Sequence, residues 1–364
     1  MYQNLPTPAV VVDLDIAQNN IKKMISGLSR HGVAHRPHIK THRSVQLARL
    51  QLSLGARGIT CAKLGEAEVM AQHGIDDILI AYPLVGADKW ARYGELYERC
   101  ESLRTLINTT QSAAGLSEEG VRRGRVYEVL IDLDGGIKRG GIEPFEPALA
   151  FAKSVSHLRG IRIAGLLYYP GMIYGETTQE GIERVARRER DDLTGTADLL
   201  RKHGFEMKIL SGGNTVSSKV AHCMEGITES RAGNYIFNDC AQLYKGTVLP
   251  GECAMRVVVT VVCLTGENTA IIDAGTKTFS SDNLTPGNPQ FGYIIGHEHV
   301  KLHAMHEEHG FIRSEGRMPF SVGDKLTIIP NHACVIANLA GKMTGMRGST
   351  FAGEIIVDAQ SKSI

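Results

Sequence analysis

The chain has 364 residues, with 40 Lys and Arg against 39 Asp and Glu, and 43% hydrophobic residues. That length suits one large domain plus a smaller one, and the near-zero charge argues against a nucleic-acid or anionic-membrane surface. No apolar run reaches spanning length, the segment Met1–Pro6 lacks the basic-then-apolar layout of a signal peptide, and the seven cysteines show no Cys-x-x-Cys spacing. A cytoplasmic protein with reduced cysteines is expected.

In chain order, the apolar run Ala9–Val12 reads as a strand. A helix is predicted after Asp15, with Gln18 three residues on and Ile21, Met24, Ile25 and Leu28 on one face. Strand-like runs then alternate with helical patterns: Val33–His38, Gly58–Cys61, Ile78–Tyr82, Leu103–Ile107, Val126–Ile131, Ile161–Leu167, Met207–Leu210 and Thr228–Ala232. Eight strands each followed by a helix is the count of an α/β protein of the (β/α)₈ TIM-barrel type. Beyond residue 245 long helical patterns give way to strand-like runs, at Met255–Leu264, Thr269–Asp273, Phe291–Ile295, Val300–His303, Lys325–Ile329 and Ile355–Val357. The expected organisation is a barrel over 16–245, with 1–15 and 246–364 forming a β-strand domain.

Five segments carry side chains suited to chemistry. Lys40 lies in Arg36-Pro37-His38-Ile39-Lys40-Thr41-His42, just past the first barrel strand and therefore at the barrel mouth. An amine there suits Schiff-base formation, with His38 and His42 placed to orient it or move protons. The plain alternative is a solvated lysine beside two loop histidines. Ser211-Gly212-Gly213-Asn214-Thr215 follows strand seven, and Arg231-Ala232-Gly233-Asn234-Tyr235 follows strand eight. Glycine turns at those two positions point to a phosphate site. His332 and Cys334, two apart on a segment read as extended, would face the same way and could share a zinc ion. On spacing alone a buried, inert cysteine is the better reading of that pair. His306-Glu307-Glu308-His309-Gly310 is a further polar cluster, for which a solvated loop is the plain alternative.

Together these segments resemble the D-threonine aldolase / D-serine dehydratase family, pyridoxal-phosphate enzymes of the alanine-racemase fold type. The similarity covers nearly the whole chain and is most specific at 36–42 and 330–334, with support from Thr7-Pro8-Ala9, Cys61-Ala62-Lys63 and Asp273-Ala274-Gly275. The resemblance implies that Lys40 holds pyridoxal 5'-phosphate, that Arg139 reaches its phenolic side and that Tyr169 lies near its ring. Ser211, Gly212, Gly213, Asn214, Gly233 and Tyr235 would surround the phosphate, and Arg231 would face the pyridine nitrogen as in an alanine racemase. It also implies zinc, or another divalent ion, on His332 and Cys334, which reverses the reading from spacing alone. Besides Arg231, three positions depart from the family: Leu167 stands in place of a Gln, Pro170 in place of a His and Asn214 where another glycine is common.

The resemblance implies a lyase acting on a small D-β-hydroxy-α-amino acid, working as a homodimer. His-x-Cys at the metal tips the reaction toward dehydration; retro-aldol cleavage to glycine and an aldehyde is the alternative. A racemase, with Tyr244 or Tyr293 as second base, and a pyridoxal-phosphate carrier protein are more distant readings.

Overall fold

The computed structural model describes residues 2, 4–283 and 290–364, so Met1 and Gln3 of the N-terminal segment lie outside the described residues. The chain divides into two compact units. One comprises Lys22–Lys40, Ala48–Gly233 and Ser361–Ile364, and the other Met1–Ile21, Thr41–Leu47 and Asn234–Gln360. Among the described residues no helix is long and apolar enough to cross a membrane.

In chain order, β1 (Ala9–Asp13) precedes the helix Leu14–Ser29. The helix starts slightly earlier than the sequence suggests: the Asp13 carboxylate accepts the backbone N–H groups of Asp15 and Ile16, so Asp13 is the residue that satisfies the orphan donors.

The first unit is an eight-stranded parallel sheet of β2 (Ala34–His35), β3 (Ile59–Cys61), β4 (Asp77–Pro83), β5 (Ser102–Ile107), β6 (Tyr127–Leu133), β7 (Ile161–Tyr168), β8 (Ile209–Gly212) and β9 (Glu229–Ser230). All eight fall on the runs read from the sequence. The order β2-β9-β8-β7-β6-β5-β4-β3 curls round until its ends meet. Past β2 the chain makes a parallel bridge from His38 to Thr60 of β3, and the Thr60 N–H donates to the Pro37 carbonyl at 2.8 Å. Leu79, Leu106, Leu130, Ala164 and Leu167 form one buried cluster drawn from four neighbouring strands and no helix, as the filled interior of a barrel requires. Leu167 therefore has a packing role. Its departure from the family's Gln puts an apolar side chain into a layer that is apolar throughout.

The second unit continues with β10 (Met255–Leu264), β11 (Thr269–Ile272), β12 (Gly292–Ile294), β13 (Val300–Met305), β14 (Gly310–Ser314), β15 (Lys325–Pro330), β16 (Lys342–Arg347) and β17 (Thr350–Ile356). Together with β1 these strands make one sheet, antiparallel except for β1 against β16. The Val-rich β10 pairs with β1, β11 and β15, with a register shift between Val261 and Cys263. That shift lets one long strand serve two neighbours on the same side and closes a ring of β10, β11, β14, β13, β12 and β15. Two strands, β14 and β16, and the helix Ala333–Ala340 are elements that the sequence reading does not contain.

Candidate active site

In the barrel unit the side chains of interest gather where strands end. Lys40 is exposed within the short helix Ile39–Thr41. His38, half-buried two residues earlier, has a buried Nδ1 with no hydrogen-bond partner. Burial first, then the positive charges of Lys40, Arg231 and Arg139, hold its imidazole well below the usual histidine range, so His38 is neutral at physiological pH. The Arg139 guanidinium stacks over the Tyr169 ring, 4.2 Å from its centroid.

Arg231 is buried and donates to Ser211 Oγ at 2.9 Å and to the Tyr168 carbonyl at 2.8 Å. Ser211 in turn donates to Glu229 Oε1 at 2.8 Å. Burial lowers the Arg231 guanidinium to about 10, opposed by Glu229, Glu189 and Asp132. Two of those acids, Asp132 and Glu189, lie outside the motifs read from the sequence. Asp132, at the end of β6, is pushed up to about 6 by burial, against the pull of Arg231 and Arg139. Glu189, on the helix Gln179–Lys202, is raised by burial to about 7.

The turn after β8 is built tightly. Gly213 has φ +79°, and a Cβ there would lie 2.4 Å from Ser230 Oγ and 2.9 Å from Ser218 Oγ, so only glycine fits. Its N–H donates to Glu189 Oε1 at 2.5 Å. Gly212 is similarly confined, since a Cβ there would lie 2.7 Å from the same oxygen. Asn214 uses its side chain locally: Oδ1 accepts from Val216 and Ser217 N–H, and Nδ2 donates to the Pro170 carbonyl. The residue that replaces the family's His thus supplies a backbone anchor for this turn. Gly233, half-buried, closes the run that follows β9.

The second unit holds the other group. His332 ends the extended backbone after β15, and Cys334 lies in the first turn of the helix Ala333–Ala340. The expectation of an extended His-x-Cys segment is corrected here, because the chain turns into a helix at Ala333. The two side chains still meet. His332 Nδ1 pairs with Asp282 Oδ2 at 2.8 Å, and the imidazole also bonds the Cys334 thiol. That bond to Cys334, aided by Asp239 and Asp282, raises His332. Burial alone would raise Cys334; the imidazole more than reverses it and holds the thiol below its ordinary range. Thr41 Oγ1 lies 3.2 Å from the Cys334 sulfur, and Asp239 accepts the Ala333 N–H at 2.9 Å. His42 and Tyr235 are buried in this unit. His42 Nδ1 accepts the Ser44 N–H at 3.0 Å, a contact that shapes its own loop. The hairpin cluster 306–310 is a turn, with the His306 N–H donating to the His309 carbonyl.

A neutral histidine beside an exposed lysine, a glycine-only turn and a carboxylate-backed imidazole–thiol pair define an enzyme of the barrel-plus-β-domain class. Comparison with known proteins gives the family. Residues 12–240 match the model described as "Alanine racemase, N-terminal domain", and 254–346 match the "Putative serine dehydratase domain". The chain belongs to this family. It is 33% identical to D-threo-3-hydroxyaspartate dehydratase of Delftia sp. (strain HT23) over 347 residues, 91% of each chain. It is 32% identical to D-threonine aldolase of Arthrobacter sp. over 337 residues, covering 92% of this chain and 87% of the relative. A solved Cys→Ala variant of D-threo-3-hydroxyaspartate dehydratase in its metal-free form superposes with a TM-score of 0.91 at 29% identity, covering 97% of this chain and 98% of that one.

Proposed function

We propose that this chain is a pyridoxal-phosphate-dependent lyase of D-β-hydroxy-α-amino acids, of the dehydratase type, with a divalent ion, zinc foremost, on His332 and Cys334. The Asp282–His332–Cys334 arrangement carries the reading. An imidazole with one nitrogen held by a carboxylate and a thiol partner on the ring is a donor pair prepared for a metal, and a racemase has no use for it. The glycine-only turn at Gly213 and the unpartnered Nδ1 of His38 are consistent with a bound phosphorylated ring at the barrel mouth. Family likeness supports a homodimer, and seven cysteines, all free, suit a reducing compartment such as the cytoplasm.

Pyridoxal phosphate, when bound, supplies an electron sink for negative charge at Cα, and a divalent ion supplies Lewis acidity to the β-hydroxyl oxygen. The chain's own residues divide the rest. Lys40 would hold the cofactor, and its released amine would take the α-proton. His38, kept neutral by burial and three cations, offers Nδ1 as a proton acceptor. Arg231, fixed by Ser211 and Tyr168, places a permanent positive charge in the barrel mouth. Arg139, stacked on Tyr169, holds a second cation beside an aromatic face.

Dehydration removes the α-proton and expels the β-hydroxyl; hydrolysis then yields ammonia and a 2-oxo acid. Retro-aldol cleavage instead removes the hydroxyl proton, breaks Cα–Cβ and yields glycine and an aldehyde. That second reading is favoured by the relation to an aldolase at nearly the same identity, whereas the thiol of Cys334 favours dehydration. The test is incubation of the purified protein with D-threo-3-hydroxyaspartate, D-serine and D-threonine, with and without a chelator. We expect a 2-oxo acid and ammonia, lost on chelation and restored by Zn²⁺. Glycine and aldehyde without oxo acid would overturn the dehydratase reading, and activity indifferent to the chelator would remove the metal.

A further inference from the structure

Far from His332 in sequence, the barrel unit assembles another set of metal-ligating side chains. The donor atoms of Glu183, His222 and Cys223 all lie within 4.8 Å of one another. Glu183 belongs to the helix Gln179–Lys202, and His222 and Cys223 end the short helix Ser217–Cys223. Successive residues of a helix normally diverge in direction. Here Val220 leaves helical geometry (φ −107°, ψ 47°), which re-aims the last turn so that both neighbours approach the same carboxylate.

The environment suits a borderline divalent ion. Cys223 is buried against Ile173, Ile182, Val185, Ala186, Val216 and Val220, whereas the His222 side chain is 51% exposed, so the set sits at the rim of an apolar cluster. Glu183 Oε2 accepts Arg187 Nη2 at 2.7 Å, which orients the carboxylate, while Oε1 accepts Gln179 Nε2 at 2.9 Å and lies 3.6 Å from His222 Nε2. A further imidazole is at hand: the His31 ring is centred 6.4 Å from that of His222, inclined at 60°. Donors around tetrahedral zinc stand roughly 3.3–3.7 Å apart given ~2.0–2.3 Å bonds, so an inward shift of about 1 Å closes the set. The exposed His222 can make that shift by rotation.

We propose that Glu183, His222 and Cys223, completed by His31, form a second divalent-metal site that takes Zn²⁺. Coordination replaces the Gln179 contact on Oε1, releases the Cys223 thiol proton to solvent and clamps the helix Ser217–Cys223 to the helix Gln179–Lys202. Four protein ligands leave no open position, so the role is structural. The site is independent of the lyase reading, because none of its ligands is among the residues placed in that chemistry.

The probe is Co²⁺ alone, added to metal-stripped full-length protein and read by bound stoichiometry and by the near-ultraviolet charge-transfer band of a cobalt–thiolate bond. In a His332→Ala/Cys334→Ser background we expect one Co²⁺ per chain with that band, and at least a tenfold weaker affinity once His222→Ala is added. In the otherwise wild-type chain, Cys223→Ser should lower bound Co²⁺ by one per chain, and His222→Ala should leave lyase turnover unchanged. Absence of bound Co²⁺ in the first background, binding without the thiolate band, or indifference to both His222→Ala and Cys223→Ser would overturn the site.

Discussion

Two buried arginines of the barrel unit make opposite use of the same carboxylate. Arg36 donates through Nε to Glu229 at 2.9 Å and through both terminal nitrogens to Asp77 at 2.9 and 3.2 Å. Glu229 and Asp77 are the first residues of β9 and β4, so this triad staples strand beginnings. Burial works against the Arg36 charge, but Glu229 and Asp77 outweigh it and raise its affinity for the proton. Arg231, just past the end of β9, reaches Glu229 only through Ser211, and burial wins there. Around it Asp132 and Glu189 are held partly protonated. One end of the barrel is electrostatically satisfied and supports the fold; at the other the buried charges are less well compensated, which fits the site proposed there.

The sharpest way to break the contrast is at Lys40. Lys40→Ala should cost roughly 10³-fold or more in turnover while leaving the unfolding midpoint near wild type, since the side chain is exposed. It should also abolish the long-wavelength absorbance of the bound cofactor. Retained absorbance with full turnover would remove Lys40 from the chemistry.

Arg36 should respond in the opposite sense. Arg36→Met leaves Glu229 buried without its principal ion-pair partner, at a cost of about 3–5 kcal/mol in denaturant unfolding. Activity of the molecules that remain folded should change little. Arg231→Met should instead lower turnover more than stability, because its charge is poorly compensated to begin with. If Arg231→Met proves the more destabilising of the two, the division between the barrel's ends is wrong.

Much of this barrel is legible in the sequence. Each strand run is bounded by turn residues, and a parallel strand buried on both faces shows as a short apolar run. The β unit is harder. Ala333–Ala340 reads Ala-Cys-Val-Ile-Ala-Asn-Leu-Ala, apolar enough to pass for a buried strand, and only its length and Ala content argue for a helix. β14 and β16 each carry a glycine, and although each forms a hairpin with an adjacent strand, β13 and β17, its other partner, β11 or β1, is distant in the chain. The backing of His332 by Asp282, 50 residues away, has no local signal at all. Glu189 does have one: Ile182, Val185, Ala186 and Leu193 set the apolar face of their helix, and Glu189 falls on it. A lone acid on a buried stripe asks for a partner, and the helical spacing of its apolar neighbours is enough to raise that question.

Glu189 gives the smallest and most discriminating test. Its Oε1 accepts the Gly213 N–H, its side chain is fully buried, and burial raises its pKa from 4.5 to about 7. An acid with a raised folded-state pKa is protonated in the native chain while already ionised in the unfolded one, so between pH 4.5 and 7 the native state binds more protons. Stability contributed by that protonation is present in full below the unfolded value and is lost as pH rises through the window. Glu189→Gln keeps the shape and the contact with Gly213 but carries no charge at any pH. Relative to this variant, the wild type should lose on the order of 2 kcal/mol between about pH 5 and pH 8, read from denaturant midpoints at each pH. The corresponding comparison at the satisfied end runs the other way: Glu229, held low by Arg36 once the cost of burial is met, should lose its contribution only in acid. Parallel pH profiles for the wild type and Glu189→Gln would mean that the Gly213 contact and the Arg231 charge already keep Glu189 ionised, leaving the mouth of the barrel better balanced than its buried acids imply.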